Sequence, residues 1–200
     1  MVLKMKKIIF LITLGLSTTL TFSQKVGTLE LNNGESVDLY EKTTKRFVNK
    51  VEYHGQTIYY YTEDGKKKSI KHSKVKNMIS GVDLYLSLPI YVFKAKRLHR
   101  VVAENEKYLL TDYYSVNRYQ FYIFDKKSMN AVEKLRFQTY MPEKDIKLIG
   151  VIEKYFSDCP ELINKIQSNF DLFYNDDYDI RTSPRPSVLF MGISQFKCND

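Results

Sequence analysis

The first half of the chain alternates apolar and polar positions in short segments that are separated by turn residues. Asn33-Gly34 lies between two such segments, Thr28–Leu31 and Ser36–Leu39, and Asn-Gly is favoured in tight hairpins because both residues tolerate positive φ. Further turn signals are His54-Gly55, Glu63-Asp64-Gly65 and Glu104-Asn105-Glu106. With frequent Tyr, Phe, Val and Ile, this spacing predicts an antiparallel sheet or a small barrel-like β body.

Residues 119–124, with the sequence YQFYIF, carry apolar side chains on both faces of the predicted pleat. A strand that is apolar on both faces is typically internal to its sheet and covered on each side. The sequence therefore predicts that a second layer packs on this sheet, and the helical segment that follows is the candidate.

From Pro142 the apolar positions recur every three or four residues, which is the period of a helix. The predicted apolar stripe consists of Ile146, Ile149, Ile152 and Phe156. A second helix is predicted through residues 162–168, with Asp158 as its N-terminal cap and Pro160 in its first turn. The two segments are predicted to form a short helical hairpin.

The C-terminal residues predict a loop followed by a returning strand. Residues 171–187 are acidic and then proline-rich, whereas Val188–Ile193 is a short apolar run that is typical of a buried strand. The whole pattern predicts one α+β domain over residues 24–200. It comprises a β-rich body at 24–128 and the helical hairpin and tail at 129–200.

The N-terminus has the layout of a secretory signal peptide. Three lysines precede an apolar run from Ile8 to Leu20, and Thr21-Phe22-Ser23 places small residues at the cleavage positions. We therefore predict a signal peptide at residues 1–23 and no transmembrane span after its removal, because a span needs about 20 apolar residues. The mature chain is predicted to be exported, as a periplasmic, envelope-associated or secreted protein.

Cys159 and Cys198 are the only cysteines of the chain. In an exported protein an even number of cysteines favours pairing, so we predict a disulfide between them. The alternative is a catalytic thiolate at Cys159, because the start of a helix lowers the pKa of a thiol. A nucleophile also needs a base, and the histidines (His54, His72 and His99) all lie in the strand-rich half.

Basic residues are concentrated in the β-rich body, which has a net charge of +7, against −2 for residues 129–200. The candidate set for binding an anionic partner is Lys66, Lys67, Lys68, Lys71, Lys74, Lys76, Lys94, Lys96, Arg97 and Arg100. Anionic envelope polymers, lipid headgroups or another envelope protein are the candidate partners. Export argues against nucleic acid. The alternative is a solvated lysine face that keeps an aromatic sheet soluble.

Neither a catalytic motif nor a metal or cofactor motif is found in the sequence. GxSxG, HExxH and phosphate-binding glycine loops are absent, and the two cysteines have no nearby ligands of the zinc-site type. We therefore predict no catalytic residue, no cofactor and no metal. The predicted function is that of an exported, non-enzymatic binding or structural module of the cell envelope. The alternative is a hydrolase that uses carboxylates on the sheet.

Two motifs and the signal peptide together resemble those of a group of small uncharacterised secreted bacterial proteins. The signal ends in Phe22-Ser23-Gln24, the β-rich body opens with GTLELNNGESV, and the helical region contains KYFSDCPELINKI. The resemblance implies export and a β-rich body followed by a C-terminal helical hairpin, and it implies no catalytic residue.

Overall fold

The computed structural model describes residues 23–41, 52–54, 57–89, 96–115, 118–136, 142–175, 188–190 and 192–198. The first strands are β1 (Lys25–Leu31), β2 (Ser36–Tyr40), β3 (Glu52–His54), β4 (Thr57–Tyr61), β5 (Lys67–Lys71) and β6 (Val75–Ser80). They are followed by β7 (Asp83–Pro89), β8 (Lys96–Glu104), β9 (Tyr108–Ser115), β10 (Arg118–Asp125), β11 (Ala131–Arg136) and β12 (Phe196–Lys197). The helices are α1 (Pro142–Tyr155) and α2 (Pro160–Asn175). Residues 1–22 of the predicted signal peptide, residues 176–187 of the predicted loop, and Lys94 lie outside the described residues.

Two sheets contain all the described strands. The large sheet has the order β11-β10-β9-β8-β7-β6-β1-β2 with antiparallel neighbours, and β12 pairs in parallel with the end of β8. The small sheet has the order β3-β4-β5 and is also antiparallel. The predicted α+β class with an antiparallel sheet is confirmed. The barrel-like alternative is not seen, because β11 and β2 are separate edges of the large sheet among the described strands.

The predicted turns at Asn33-Gly34 and Glu63-Asp64-Gly65 are present as loops wider than two residues, whereas Gly55 of the predicted His54-Gly55 turn lies outside the described residues. In the β1–β2 hairpin the N–H of Gly34 donates to the carbonyl of Leu31 at 3.0 Å, and the N–H of Leu31 donates to Glu35 at 2.8 Å. Gly34 has φ of 86°, and Asn33 is not among the residues with positive φ. This is a three-residue loop that ends in a glycine bulge. Gly65, with φ of 73°, has the same role between β4 and β5.

Strand β10 is buried on both faces, as the YQFYIF pattern predicted. Phe121 and Ile123 pack against the two helices, whereas Tyr122 and Phe124 belong to a separate buried cluster on the opposite face. β10 lies between β9 and β11, so it is internal to the sheet. The prediction that the helices cover one face of this sheet is confirmed.

The helices begin where the sequence predicted, but two details were wrong. Ile146 is 57% exposed, and Leu148 is fully buried with Ile149 and Ile152 instead. Helix α2 continues to Asn175, so residues 171–175 are helical and not part of a loop. Neither helix in the described part of the chain has the length and apolar content that crossing a bilayer requires.

The C-terminal segment does not form the strand that was predicted at Val188–Ile193. Val188–Phe190 is a 3₁₀ turn, and the strand β12 comes later. The prediction failed because Gly192 and Gln195 both have positive φ, which breaks an extended chain. The side chains of Leu189, Phe190 and Ile193 are nevertheless buried in the cluster that contains the helices, as expected for a returning tail.

Strands β6, β7 and β11 were not predicted. β6 follows directly on a lysine-rich stretch, and its start was interpreted only as a charged segment. β11 lies beyond residue 128 but pairs with β10, so the sheet extends past the predicted end of the β-rich body.

The predicted disulfide joins Cys159, at the start of α2, to Cys198, with Cα atoms 5.3 Å apart. The N–H of Cys198 donates to the backbone carbonyl of Glu104 of β8 at 2.9 Å. The bond therefore fastens the C-terminal segment to both the helices and the sheet.

Asn105 connects the β8–β9 turn to the segment between the helices. Its side-chain NH₂ donates to Asp158 at 2.9 Å and to the carbonyl of Tyr155 at 3.1 Å, and its oxygen accepts from the N–H of Tyr108 at 2.6 Å. Asp158 was predicted to cap α2, but its carboxylate binds Asn105, and Cys159 directly precedes the helix.

The helices and the small sheet are associated with the same face of the large sheet. Direct cross-strand partners share a face, and one row of partners runs through Phe121, Asp112, Arg100, Tyr85 and Met78. The helices pack at the Phe121 end of the row, and the small sheet packs at the Met78 end. A charged pair, Arg100 and Asp112, thus lies between two apolar clusters.

Candidate functional site

The ten candidate basic residues are not equivalent in the structure. Lys66 forms an ion pair with Asp64 at 2.7 Å, and Lys76 forms one with Glu30 at 2.6 Å. The hydrogen bond from Lys66 also lowers the pKa of the Asp64 carboxyl. These two lysines are neutralised by acids on the neighbouring chain segments.

Three exposed lysines, Lys68, Lys71 and Lys74, form no ion pair with any residue that the structure describes. Lys68 and Lys71 lie on β5, and Lys74 ends the 3₁₀ turn that connects β5 to β6. On the same strand, the ammonium of Lys67 lies 4.8 Å from the ring centre of Tyr59. The exposed positive charge is therefore concentrated along β5 and the turn that follows it.

The pleat of β8 directs Arg97 to the face opposite to that of Lys96 and Arg100. Lys96 is exposed at the start of β8, and the guanidinium of Arg97 donates to the carbonyl of Lys96 at 3.1 Å. Arg100 lies deeper: its side chain is 19% exposed and forms an ion pair with Asp112. Arg100 is therefore not part of the exposed basic surface.

A groove of about 760 Å³ opens between the β1–β2 turn, β5 and the 3₁₀ turn. Its volume is within the range of ligand sites, roughly 300–1,000 Å³. Its lining residues are Leu31, Asn32, Asn33, Glu35, Thr57, Ser69, Ile70, Lys71, Ser73 and Lys74. We call this the β5 groove. Two lysines against one glutamate give it a net positive charge.

Hydrogen bonds hold the β1–β2 turn against the 3₁₀ turn. The side-chain amide of Asn32 donates to the carbonyl of Ser73 at 2.7 Å, and its backbone N–H donates to the carbonyl of Lys74 at 3.0 Å. The side-chain oxygen of Asn33 accepts from the N–H of Glu35 at 3.1 Å. The two walls of the groove are thus fixed relative to each other before any ligand binds.

The groove combines positive charges with small neutral hydrogen-bonding groups. Lys71 and Lys74 act as point charges toward carboxylate, phosphate or sulfate groups, and the hydroxyls of Ser69, Ser73 and Thr57 add neutral donors and acceptors. Ile70 and Leu31 are half-buried and give the groove an apolar strip. This arrangement suits an anionic ligand that also carries some apolar surface.

Arg100 forms a buried charged cluster with two aspartates of the sheet. Its Nε donates to the two carboxylate oxygens of Asp112 at 3.0 and 3.2 Å, and its Nη1 lies 3.6 Å from Asp83. Asp83 also accepts a hydrogen bond from Ser194 at 2.7 Å. Burial raises the pKa of the Asp112 carboxyl, and the hydrogen bonds and charge of Arg100 oppose this effect.

The charge of Arg100 is secured by its acidic partners. Burial alone disfavours the guanidinium, but the hydrogen bonds and charges of Asp112 and Asp83 outweigh this effect and raise the pKa of Arg100 above its ordinary value. Because Arg100 occupies both carboxylates, the cluster connects β7, β8, β9 and the C-terminal segment. This arrangement favours a structural role.

Two buried histidines are not used by the groove. Burial lowers the pKa of His72 to about 4, with a smaller effect of the Arg97 charge, and it lowers the pKa of His99 to about 3. His99 Nδ1 lies 3.2 Å from the Thr111 hydroxyl, and its ring lies among those of Tyr113, Tyr122 and Phe124. Cys159 is bonded to Cys198, so it is not a thiolate that a histidine could activate.

The buried histidines predict that acid destabilises the fold below pH 6.5. The unfolded chain takes up a proton at the ordinary histidine pKa of 6.5, whereas folded His99 does so only near 3, so stability present above pH 6.5 is lost as the pH falls. The free energy of unfolding of His99→Phe and of the wild type is measured by urea denaturation at pH 7.5, 6 and 5. Between pH 6 and 5 it is expected to fall less steeply with pH in His99→Phe than in the wild type, by about 1.4 kcal/mol per pH unit. An equal fall in the two proteins would show that His99 is not kept neutral by the fold.

Within the part of the chain that the structure describes, no group of three or more His, Cys, Asp or Glu residues is arranged to hold a metal ion.

The polar lining of the groove was not predicted from the sequence, since Asn32, Ser69 and Ser73 are separated by up to about 40 residues and meet only when the small sheet packs. Comparisons with protein-family models, with curated proteins and with solved structures give no match to this chain.

Proposed function

We propose that the protein is an exported, non-enzymatic binding module of the cell envelope that engages an anionic partner through the β5 groove. The observation that supports this most strongly is the position of Lys71 and Lys74. Both line the groove, and neither forms an ion pair with a described residue. Lysines without acidic partners at the wall of a preformed groove attract anions through their local field.

Several sequence features support export. The residues before Gln24 have the pattern of a signal peptide, and the resemblance to small secreted bacterial proteins has the same implication. The Cys159–Cys198 disulfide is typical of oxidising compartments such as the periplasm or the extracellular medium. We further propose that α1 and α2 act as a helical hairpin that holds the sheet in place and leaves the groove accessible.

The alternative function, a hydrolase that uses carboxylates on the sheet, is less well supported at the place where Arg100 brings two carboxylates together, those of Asp83 and Asp112. Both are in contact with Arg100, and a carboxylate held by an ion pair is less available as a general base. The groove is the better supported site, because its charged groups are exposed and unneutralised.

Substitution of the groove lysines tests the proposed function. Lys71→Gln/Lys74→Gln is expected to weaken the binding of poly-L-glutamate by about tenfold, since a lysine near a polyanion contributes up to about 1 kcal/mol. The matched control is Lys147→Gln/Lys165→Gln, which removes the same charge from exposed positions on the helices. The affinities are measured by fluorescence anisotropy over a salt series.

Two results would contradict the proposed function. One is an equal loss of affinity in the groove variant and the helix variant, which would indicate a nonspecific effect of net charge. The other is an affinity of the wild type that does not fall as salt is raised, because screening must weaken an electrostatic contact between exposed charges.

A further inference from the structure

The edge of β5 that borders the groove carries backbone groups that point away from β4. The N–H of Thr62 donates to the carbonyl of Lys66 at 3.0 Å, so this pair is a hydrogen-bonded pair of the antiparallel ladder. Hydrogen-bonded and non-hydrogen-bonded pairs alternate along such a ladder. In the observed register Tyr60↔Lys68 and Ile58↔Ile70 are therefore bonded, and Tyr59↔Ser69 and Thr57↔Lys71 are not.

This alternation directs the backbone N–H and C=O groups of Ser69 and Lys71 outward, into the groove. Ser69 has no backbone partner among the described residues outside the β4–β5 pair, whereas the carbonyl of Lys71, the residue before the 3₁₀ turn, already accepts the first hydrogen bond of that turn. Ser69, Ile70 and Lys71 all line the groove although their side chains alternate between the two faces of the strand. A groove that runs along the edge of a strand, where the backbone is accessible, is lined by consecutive residues in this way, and Thr57 of β4 joins the lining at the end of the ladder, opposite Lys71.

We propose that the β5 groove binds an extended acidic peptide segment of a partner protein, which adds to the small sheet as an antiparallel strand beside Ser69–Lys71. This inference rests on the proposed function and assigns a chemical class to its partner. The backbone of an added strand pairs with the outward N–H and C=O groups of β5 in a ladder of hydrogen bonds. Neither a lipid headgroup nor a sugar polymer reproduces such a ladder.

The side chains of the groove define the sequence that this segment needs. In an antiparallel pair, directly opposite residues share a face. An acidic residue therefore lies opposite Lys71, an apolar β-branched residue opposite Ile70, and a hydroxyl residue opposite Ser69. A second acidic residue, two positions earlier in the segment, faces Lys74 beyond the end of β5. The apolar residue contacts the strip formed by Ile70 and Leu31.

A lysine-rich edge strand also has a protective explanation, since lysines on an edge discourage unspecific pairing with other chains. The same charges permit pairing with a strand that carries acids at the matching positions. Specificity here follows from complementary charge, because a neutral or basic strand leaves the lysines unpaired against the incoming backbone.

Backbone N-methylation of a synthetic peptide separates strand addition from simple charge attraction. The probe is acetyl-Thr-Glu-Thr-Glu-Val-Thr-Thr-amide, in which the second Glu, the Val and the following Thr lie opposite Lys71, Ile70 and Ser69. N-methylation of that Thr removes the N–H group that donates to the outward carbonyl of Ser69, and we expect it to lower the affinity about tenfold. N-methylation of the Val is the matched control, because its N–H points away from β5, and we expect less than a twofold change.

The outcomes distinguish failure of this inference from failure of the proposed function. Equal affinity of the two methylated peptides would overturn strand addition. If Lys71→Gln/Lys74→Gln still weakened the binding of poly-L-glutamate, the groove would remain an anion site. Binding of phosphatidylglycerol vesicles or polygalacturonate without any binding of the peptide would also overturn strand addition. If no anionic probe depended on these lysines, both proposals would be wrong.

Hydrogen exchange gives an independent readout in the full chain. The unmodified peptide is expected to slow exchange of the Ser69 and Lys71 amides at least tenfold, whereas Lys68 and Ile70, already bonded to β4, change less than twofold. Protection that is equal at all four amides would indicate general stabilisation of the small sheet and would contradict the assigned edge.

Discussion

Replacing both cysteines, as in Cys159→Ala/Cys198→Ala, is expected to lower the free energy of unfolding by about 4 kcal/mol. The bond closes a loop with a sequence separation of 39 residues, and closing a loop of about 40 residues removes conformational entropy from the unfolded ensemble and raises its free energy by that amount. Urea denaturation of the double variant and of the wild type, with and without reductant, measures the difference.

The two single variants provide the control for the disulfide prediction. Cys159→Ala and Cys198→Ala each break the same bond, so each is expected to match the double variant to within about 1 kcal/mol. Reductant should destabilise the wild type by a similar amount and leave the double variant unchanged. A wild type that is insensitive to reductant under unfolding conditions would contradict a stabilising bond at this position.

Asp112→Ala is expected to lower the free energy of unfolding by about 3 to 5 kcal/mol, because it leaves the charge of Arg100 buried with a weaker partner. Asp112 holds the guanidinium at 3.0 Å, whereas Asp83 lies 3.6 Å from it. Urea denaturation at pH 7.5 measures the loss. A loss below about 1 kcal/mol would mean that the pair is solvated like a surface ion pair.

Two further variants show whether the loss comes from an unpaired buried charge. Arg100→Leu/Asp112→Leu removes both charges and is expected to recover most of the stability, since a buried ion pair replaced by apolar groups is often neutral. Glu30→Ala, which breaks the exposed pair with Lys76, is expected to cost less than about 1 kcal/mol. Equal losses in Asp112→Ala and Glu30→Ala would contradict the burial argument.

The parts of the fold that were predictable depend on local rules. The turn at Gly34 and the start of α1 at Pro142 follow from backbone preferences of those residues. The two-faced burial of Phe121 and Tyr122 follows from the pattern of β10. The disulfide was predictable because the chain has only two cysteines and the signs of export.

The predictions that failed depend on tertiary context. An apolar run such as Val188–Ile193 has no period that separates a strand from a buried turn, and the backbone reversals at Gly192 and Gln195 become apparent only in the structure. Arg100 was grouped with the exposed lysines because its sequence neighbours are basic. Its pairing with Asp112 depends on the register of β8 with β9, which the sequence alone does not specify.

In the candidate site, too, the features set by the local sequence were predictable and those set by tertiary packing were not. The cluster of lysines on β5 was visible in the sequence, and three of them remain without acidic partners among the described residues. The groove itself arises from the packing of the β1–β2 turn against the 3₁₀ turn, through hydrogen bonds of Asn32. Sequence reasoning therefore found the charge but not the cavity that gives the charge a binding site.

The most direct test of the groove as the binding site is an NMR titration of the ¹⁵N-labelled protein with poly-L-glutamate. The largest amide shifts are predicted at residues 31–35 and 69–74, and they should disappear in Lys71→Gln/Lys74→Gln. Shifts that are largest on α1 and α2, or a pattern that the lysine substitutions leave unchanged, would contradict the assignment of the anionic partner to this groove.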